Sequence, residues 1–213
     1  MEEFIRLNTN LMARAPFNES MPIREEIRQM ALIMFSEDGY HAVSMRKLAA
    51  AVGLQAGSIY CHFESKEALL LELIEEFEEG LLCALEKNVS KAETSKRLAT
   101  YVRTSLDFHI KNRRSELLAR HDLRHVTWTH QKLIRETQYR RQLLLTNLVH
   151  TTHRSESNLT LSDQLLVKGV EAIIDSASDW HTQYPIYSPQ DLADTTCQLV
   201  LCMLGSFKEA IRP

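Results

Sequence analysis

The 213-residue chain is short of turn-forming residues, with six Gly and five Pro, too few for the many tight turns that a set of short strands needs. No uninterrupted apolar run approaches the ~20 residues of a membrane-spanning helix. The N-terminus carries Glu2, Glu3 and Arg6 with no apolar stretch behind them, so no secretory signal is expected. The cysteines Cys61, Cys83, Cys197 and Cys202 form no C-x-x-C pair, which argues against a zinc framework and for reduced thiols. A phosphate-cradling Gly loop, a nucleophile elbow and a pair of close carboxylates are all missing, so the sequence predicts a non-enzyme with no catalytic residue and no cofactor. Together these absences predict a cytoplasmic protein that does not associate with membranes.

What is present is ordinary in amount: 44% hydrophobic and 25% charged residues, enough for a sizeable core. The net charge of −3 conceals a block structure. Glu67 to Glu93 holds eight acidic residues against two lysines, whereas Lys96 to Arg154 holds thirteen Lys/Arg against four Asp/Glu and six of the nine histidines. From Ser155 onward the chain is acidic again, so local patches carry more meaning than the whole-chain balance.

Periodicity is helical throughout, and the fold class read from it is all-α. Residues 1–20 lack a sustained period and read as an N-terminal arm. Ile23, Ile27, Met30, Ala31, Met34 and Phe35 then mark an amphipathic helix, stopped at Gly39 by a left-handed residue. Ser44 can cap a second helix with Met45, Leu48, Ala49 and Val52 on one side, broken by Gly53. A third short helix runs from Ser58 to His62, with Ile59 and Phe63 inward. Ser65 caps a fourth with Leu69, Leu70, Leu73, Ile74, Phe77 and Leu81. Longer helices follow: one over 96–111, and one from about Arg114 to His150 that should break somewhere. The next opens at a Thr160/Asp163 capping box and ends near Trp180. The last opens at Ser188-Pro189-Gln190-Asp191 and carries Leu192, Leu199, Cys202, Met203 and Phe207. The domains expected are an arm (1–20), a small three-helix domain (21–66) and a larger helical domain (67–213).

Two short helices of about eight residues, joined by a tight Gly turn and packed on a third, are the plan of a helix-turn-helix, whose second helix enters the major groove. The outward residues suit that task. Gln55 and Ser58 can bond base edges or phosphates, and small Ala56 and Gly57 permit close approach. Tyr60, His62 and Lys66 offer phosphate donors. Ser44 and Arg46 can clamp the opposite strand, aided by the helix dipole. Residues 21–66 hold five basic and five acidic residues, so no basic patch shows in the linear count. Glu25, Glu26, Glu37 and Asp38, however, lie on the first helix, away from the proposed reading face.

At these residues the sequence resembles the TetR family. The run Ala31-Leu32, Phe35, Gly39-Tyr40, Val43-Ser44-Met45-Arg46, Leu48-Ala49, Val52-Gly53-Leu54, Gly57-Ser58-Ile59-Tyr60, His62-Phe63 and Lys66-Glu67-Ala68-Leu69 follows its DNA-binding signature over the first third of the chain. Cys61 departs from it, where the family more often has an aromatic residue. The resemblance implies binding of a double-stranded, palindromic DNA operator by a homodimer. It also implies a C-terminal sensor domain whose last two helices pair with a second subunit.

For the sensor, two readings stay open. The arginines Arg113, Arg114, Arg120, Arg124, Arg135, Arg140 and Arg141, with few local acids, suggest an anionic effector; the alternative is a solvated surface facing the DNA or the acidic flanking helices. Gln131-Lys132-Leu133-Ile134-Arg135, Tyr139-Arg140, Trp180 and Ser188–Ala193 are similar to a TetR subgroup that includes acyl-CoA-responsive repressors, which implies an acyl-CoA or related amphiphilic acid. The residues expected at such a ligand are Arg120, Arg124, Trp128, Arg135, Tyr139 and Trp180. His121 and His125, spaced i, i+4, and the pair His150 and His153 have no third ligand at a suitable spacing, so no metal is assigned. Cys61 lacks the cationic surroundings of a thiol switch. The expected function is a repressor released by a small ligand; the competing expectation is a DNA-binding regulator controlled by a protein partner.

Overall fold

A computed structural model describes residues 22–153 and 161–210, with the side chains of His153 and of residues 207–210 outside the description. The expected arm, Thr160 of the capping box, and the side chains of His153 and Phe207 therefore lie outside the described residues. The chain divides into two compact units, one ending at Leu69 and one starting at Leu70.

The first unit opens with α1, Ile23–Asp38, which buries Ile27, Ala31 and Phe35 at intervals of four. Glu25 and Glu26 in its first turn complement the helix dipole. The carbonyl of Pro22 accepts the amides of both, at 2.8 and 3.2 Å. Gly39 ends it at φ +86°, a backbone conformation that side chains with a Cβ resist. A single 3₁₀ turn, Tyr40–Ala42, follows, with the Tyr40 ring edge-on to Phe35 at 5.3 Å. Ser44 then caps α2, Met45–Ala51, by accepting the Lys47 amide at 3.1 Å.

α2 closes in a Schellman motif. The amide of Leu54 reaches the carbonyl of Ala49 at 2.8 Å and that of Gly53 reaches Ala50 at 3.2 Å. Gly53 holds φ +75° to allow this. The expected third helix is not α-helical. Residues Ser58–Cys61 form a 3₁₀ turn in which Ser58 bonds Gln55 and Tyr60 bonds Gly57, three residues back. Gly57 and Ser58 are weak helix formers and no side chain caps the turn, so the tighter ladder prevails. Ile59 and Phe63 are buried as the pattern required.

Ser65 caps α3, Lys66–Lys91, through the Ala68 amide at 3.0 Å. Within the second unit, Leu73, Ile74, Phe77, Leu81, Leu85 and Val89 of α3 are buried. The centre of that unit is α4, Arg97–Lys111, whose face of Leu98, Tyr101, Val102, Ser105, Leu106 and His109 is buried. The long helix expected from Arg114 to His150 does break. α5, Arg113–His121, and α6, Trp128–His153, are separated by a 3₁₀ turn at Leu123–His125. Val126 there is extended, and Gln131 braces it by donating to its carbonyl at 2.7 Å.

α7, Leu161–Gln183, and α8, Pro189–Ala210, complete the chain; α4 packs against α6, α7 and α8, and α7 against both α6 and α8. α7 runs three residues past Trp180 before its end at Gln183. Ser188 caps α8 through the Asp191 amide at 3.1 Å. Gly80 has a steric reason: a Cβ there would stand 3.0 Å from the Phe108 ring, and that ring packs on Phe77 at 5.5 Å.

Candidate nucleic-acid interface and interior cavity

The segment after the Gly53 turn is built to show polar groups outward while Ile59 and Phe63 anchor it inward. Gln55, Ala56, Gly57, Ser58, Tyr60 and Cys61 are all exposed, with Tyr60 at 55% despite its large ring. Ser44 and Arg46 are exposed at the start of α2, although the Ser44 hydroxyl is already occupied as a cap acceptor. The neighbouring Lys47 pairs with Asp38 at 2.7 Å. His62 is half-buried.

Lys66 is placed differently from the expected phosphate donor. Its ammonium donates to the carbonyls of Tyr40 at 2.9 Å and Val43 at 2.8 Å, and sits 4.0 Å from the centre of the Tyr40 ring. Burial there lowers its pKa from the ordinary lysine value. The residue buckles the start of α3 to the link between α1 and α2, and two of its three donors are used internally.

Residues 27–73 match the family described as bacterial regulatory proteins, tetR family. This segment is similar to the N-terminal domain of tetR-family regulators. Relatives are similar over part of the chain. A repressor of Mycolicibacterium smegmatis, KstR2, is 38% identical over 65 residues, 30% of this chain and 32% of that protein. The nucleoid occlusion factor SlmA of Citrobacter koseri is 37% identical over 91 residues, 42% of this chain and 46% of that protein. The chain thus spans less than half the length of these relatives. The fold likeness is longer. A tetR-family protein from Rhodococcus RHA1 superposes with a TM-score of 0.77 at 21% identity, covering 87% of this chain and 98% of that one. AibR, solved with isovaleryl coenzyme A and operator DNA, superposes with a TM-score of 0.72 at 16% identity, covering 84% and 97%. The architecture is that of tetR-type regulators: an N-terminal helix-turn-helix and a larger helical unit.

In the larger unit, the unpaired-arginine argument fails on tertiary grounds. Acids distant in sequence meet the arginines. Glu78 of α3 lies 3.2 Å from Arg141, and Glu86 of α3 binds Arg140 at 2.9 Å. Asp179 of α7 takes Arg113 and, at 2.9 Å, Arg120. Buried Glu116 bonds Arg113 and Arg120 as well. The acidic neighbours named in the alternative reading thus neutralise much of the basic segment.

A cavity of about 250 Å³ opens between α3, α4, α6 and α7. α4 contributes Tyr101, Ser105 and His109; α6 contributes Gln138, Arg141 and Gln142; α7 contributes Lys168, Glu171, Ile174 and Asp175; and α3 contributes Leu81. None of the six residues expected at a ligand lines it. Arg120 is locked in the Glu116–Asp179 network. Arg124 is exposed, as are Tyr139 and Trp128, the latter at 73%, with Arg135 5.5 Å over the Trp128 ring. Trp180 packs on Tyr184 and Tyr187, ring centres 5.6 and 5.1 Å away.

Sequence reasoning missed the cavity residues, although a signal existed. Tyr101, Ser105 and His109 recur every four residues on the otherwise apolar face of α4, and a polar row on a buried stripe marks a lined space. The histidine pair His121 and His125 does not share a helix face, because α5 ends at His121. The trio closest to metal-binding spacing among the described residues is His109, Glu116 and Asp175. Arg113 and Arg120 already hold Glu116, and with Arg141 they disfavour a cation at His109.

Proposed function

We propose that this chain is a dimeric DNA-binding transcriptional regulator, a repressor that leaves a palindromic operator when a small effector enters the cavity of its second unit. The observation that carries the DNA-binding part is the exposed polar turn from Gln55 to Tyr60, held by buried Ile59 and Phe63, in a tetR-type domain. In this reading Gln55 and Ser58 face base edges, Arg46 and Tyr60 face phosphates, and Ala56 permits close approach. Lys66 acts from inside, by fixing the helix ends. The exposed Leu161 and Leu165 of α7 and Leu199 and Leu201 of α8 support a dimer through these two helices. Two reading heads then match a palindrome.

The likeness to AibR, whose solved complex holds isovaleryl coenzyme A, supports an acyl-CoA effector. The small polar cavity and the internally paired arginines favour a smaller one. The partial match to SlmA supports a second reading, a DNA-bound protein governed by a protein partner. The test begins with binding-site selection on random duplexes. A palindromic consensus is expected, and Gln55→Ala should change it; recovery of no consensus would refute the operator reading. Tyr60→Ala should lower affinity for every sequence and flatten the salt dependence. Acyl-CoAs and small polar solutes are then titrated into the DNA complex, and release by neither class would favour the protein-partner reading.

A further inference from the structure

The cavity in the second unit carries charges of both signs that its own walls leave under-used. Arg141 on α6 lines it, and among the described residues this guanidinium makes one ion-pair contact, to Glu78 at 3.2 Å, and donates no hydrogen bond. Glu78 is already bonded through its other oxygen by Gln138 at 2.6 Å. Asp175 on α7 lines the same cavity; the His109 ring beside it, at 3.7 Å, is neutral and outside hydrogen-bond reach. Arg120 and Arg141 act on Asp175 through space without forming an ion pair with it among the described residues. Burial raises its pKa, which is the mark of a carboxylate short of compensation.

His109 is only 7% exposed, and neither ring nitrogen has a hydrogen-bond partner. A buried polar group of that kind costs free energy unless something else bonds it. Arg141 and Asp175 form no ion pair with each other among the described residues. The cavity therefore presents a guanidinium on one wall, a carboxylate on another and an unbonded imidazole beside them. The remaining charges, Lys168 and Glu171, cancel at 2.8 Å.

From this arrangement we infer that the cavity binds a small zwitterion, an amino acid or aminocarboxylate, with its carboxylate on Arg141 and its ammonium on Asp175. A guanidinium is suited to a carboxylate because it offers paired donors in one plane. An ammonium beside Asp175 supplies the compensation that burial withholds. The cavity, about 250 Å³, has room for a molecule of amino-acid size. A carboxylate without an amine would leave Asp175 without a close cation, and an amine without a carboxylate would leave the Arg141 donors, paired with Glu78 by charge alone, without a hydrogen-bond acceptor.

This inference rests on the reading that the second unit senses an effector, and the experiment separates the two. The full chain is titrated calorimetrically and by thermal melting with the twenty amino acids, γ-aminobutyrate and glycine betaine. Matched acids lacking the amine, matched amines lacking the carboxylate, glycerol and short acyl-CoAs serve as comparisons. At least one zwitterion should raise the melting temperature and bind at least tenfold tighter than its matched acid and amine. Asp175→Asn, a conservative change at a half-exposed side chain, should abolish that preference for the zwitterion over the acid. Arg141→Gln should abolish the preference over the amine; should it fail to fold because Glu78 loses its cation, Asp175→Asn alone decides. Binding by no zwitterion, equal binding of the one-charge analogues, or wild-type selectivity in Asp175→Asn overturns the inference. Zwitterion binding by a protein that selects no DNA would instead overturn the regulator reading and leave the site standing.

Discussion

Replacing Lys66 by Met keeps the aliphatic stem and removes only the ammonium, which separates an internal buckle from a phosphate contact. The ammonium makes two hydrogen bonds to carbonyls, at 2.9 and 2.8 Å, and a ring contact at 4.0 Å. Bonds involving a charged group contribute about 1.5–3 kcal/mol each, and an exposed cation–ring contact about 0.5–1 kcal/mol. Burial of the charge, which lowers the Lys66 pKa, offsets part of this sum. The expected net loss is about 2–3 kcal/mol. For a domain this small that is a drop on the order of 10 °C in melting temperature. Circular dichroism melts and urea titrations of the wild type and Lys66→Met measure it. DNA affinity should fall as the links between α1, α2 and α3 loosen, while the slope of log affinity against log salt stays the same. A phosphate contact behaves in the opposite way, with stability kept and the slope reduced by about 0.9. Unchanged stability with a flatter slope would refute the buckle and return Lys66 to the DNA.

Three further outcomes are expected. His109 is held neutral, its pKa pushed down to about 3, first by burial and then by Arg141, Arg120 and Arg113 against a smaller pull from Asp179. Because the unfolded chain takes up a proton near pH 6.5 and the folded chain does not, its contribution is complete above pH 6.5 and is lost as pH falls toward 3. The protein should therefore lose about 2 kcal/mol between pH 7 and 5, measured by urea unfolding, and His109→Gln should lose less; identical pH dependence in both would count against a neutral buried ring. Leu165→Asp or Leu199→Asp, at positions 63% and 57% exposed, should yield folded monomers in sedimentation, and persistent dimers would move the interface elsewhere. A charge at Met203 should instead disturb α7–α8 packing and lower the melting temperature, since its sulfur lies 3.3 Å from where a Cβ on Gly169 would stand.

Local chemistry made the first unit legible in one dimension. The Ile27–Ala31–Phe35 stripe, the Ser44 and Ser65 caps, the Gly53 stop and the inward Ile59 and Phe63 each follow from interactions within a few residues, which sequence spacing encodes directly. The same holds for the all-α class and for the Ser188 cap of α8. The type of the turn at Ser58–Cys61 was decided by a balance too fine for spacing, between weak helix propensity and two buried anchors.

The second unit was legible only as helices. Which arginines are paired depends on acids brought from 54 to 66 positions away, Glu78 and Glu86 beside Arg141 and Arg140, Asp179 beside Arg113 and Arg120. Linear charge counting cannot register such pairs, because Coulomb energy follows distance in space and not along the chain. The internal bonds of Lys66 were hidden for the same reason, its partners Tyr40 and Val43 lying 26 and 23 residues back. The cavity is a still more collective object: it exists where rows of polar side chains on α4, α6 and α7 face one another. Each row can be found in the sequence, but the space they enclose is set by helix packing alone.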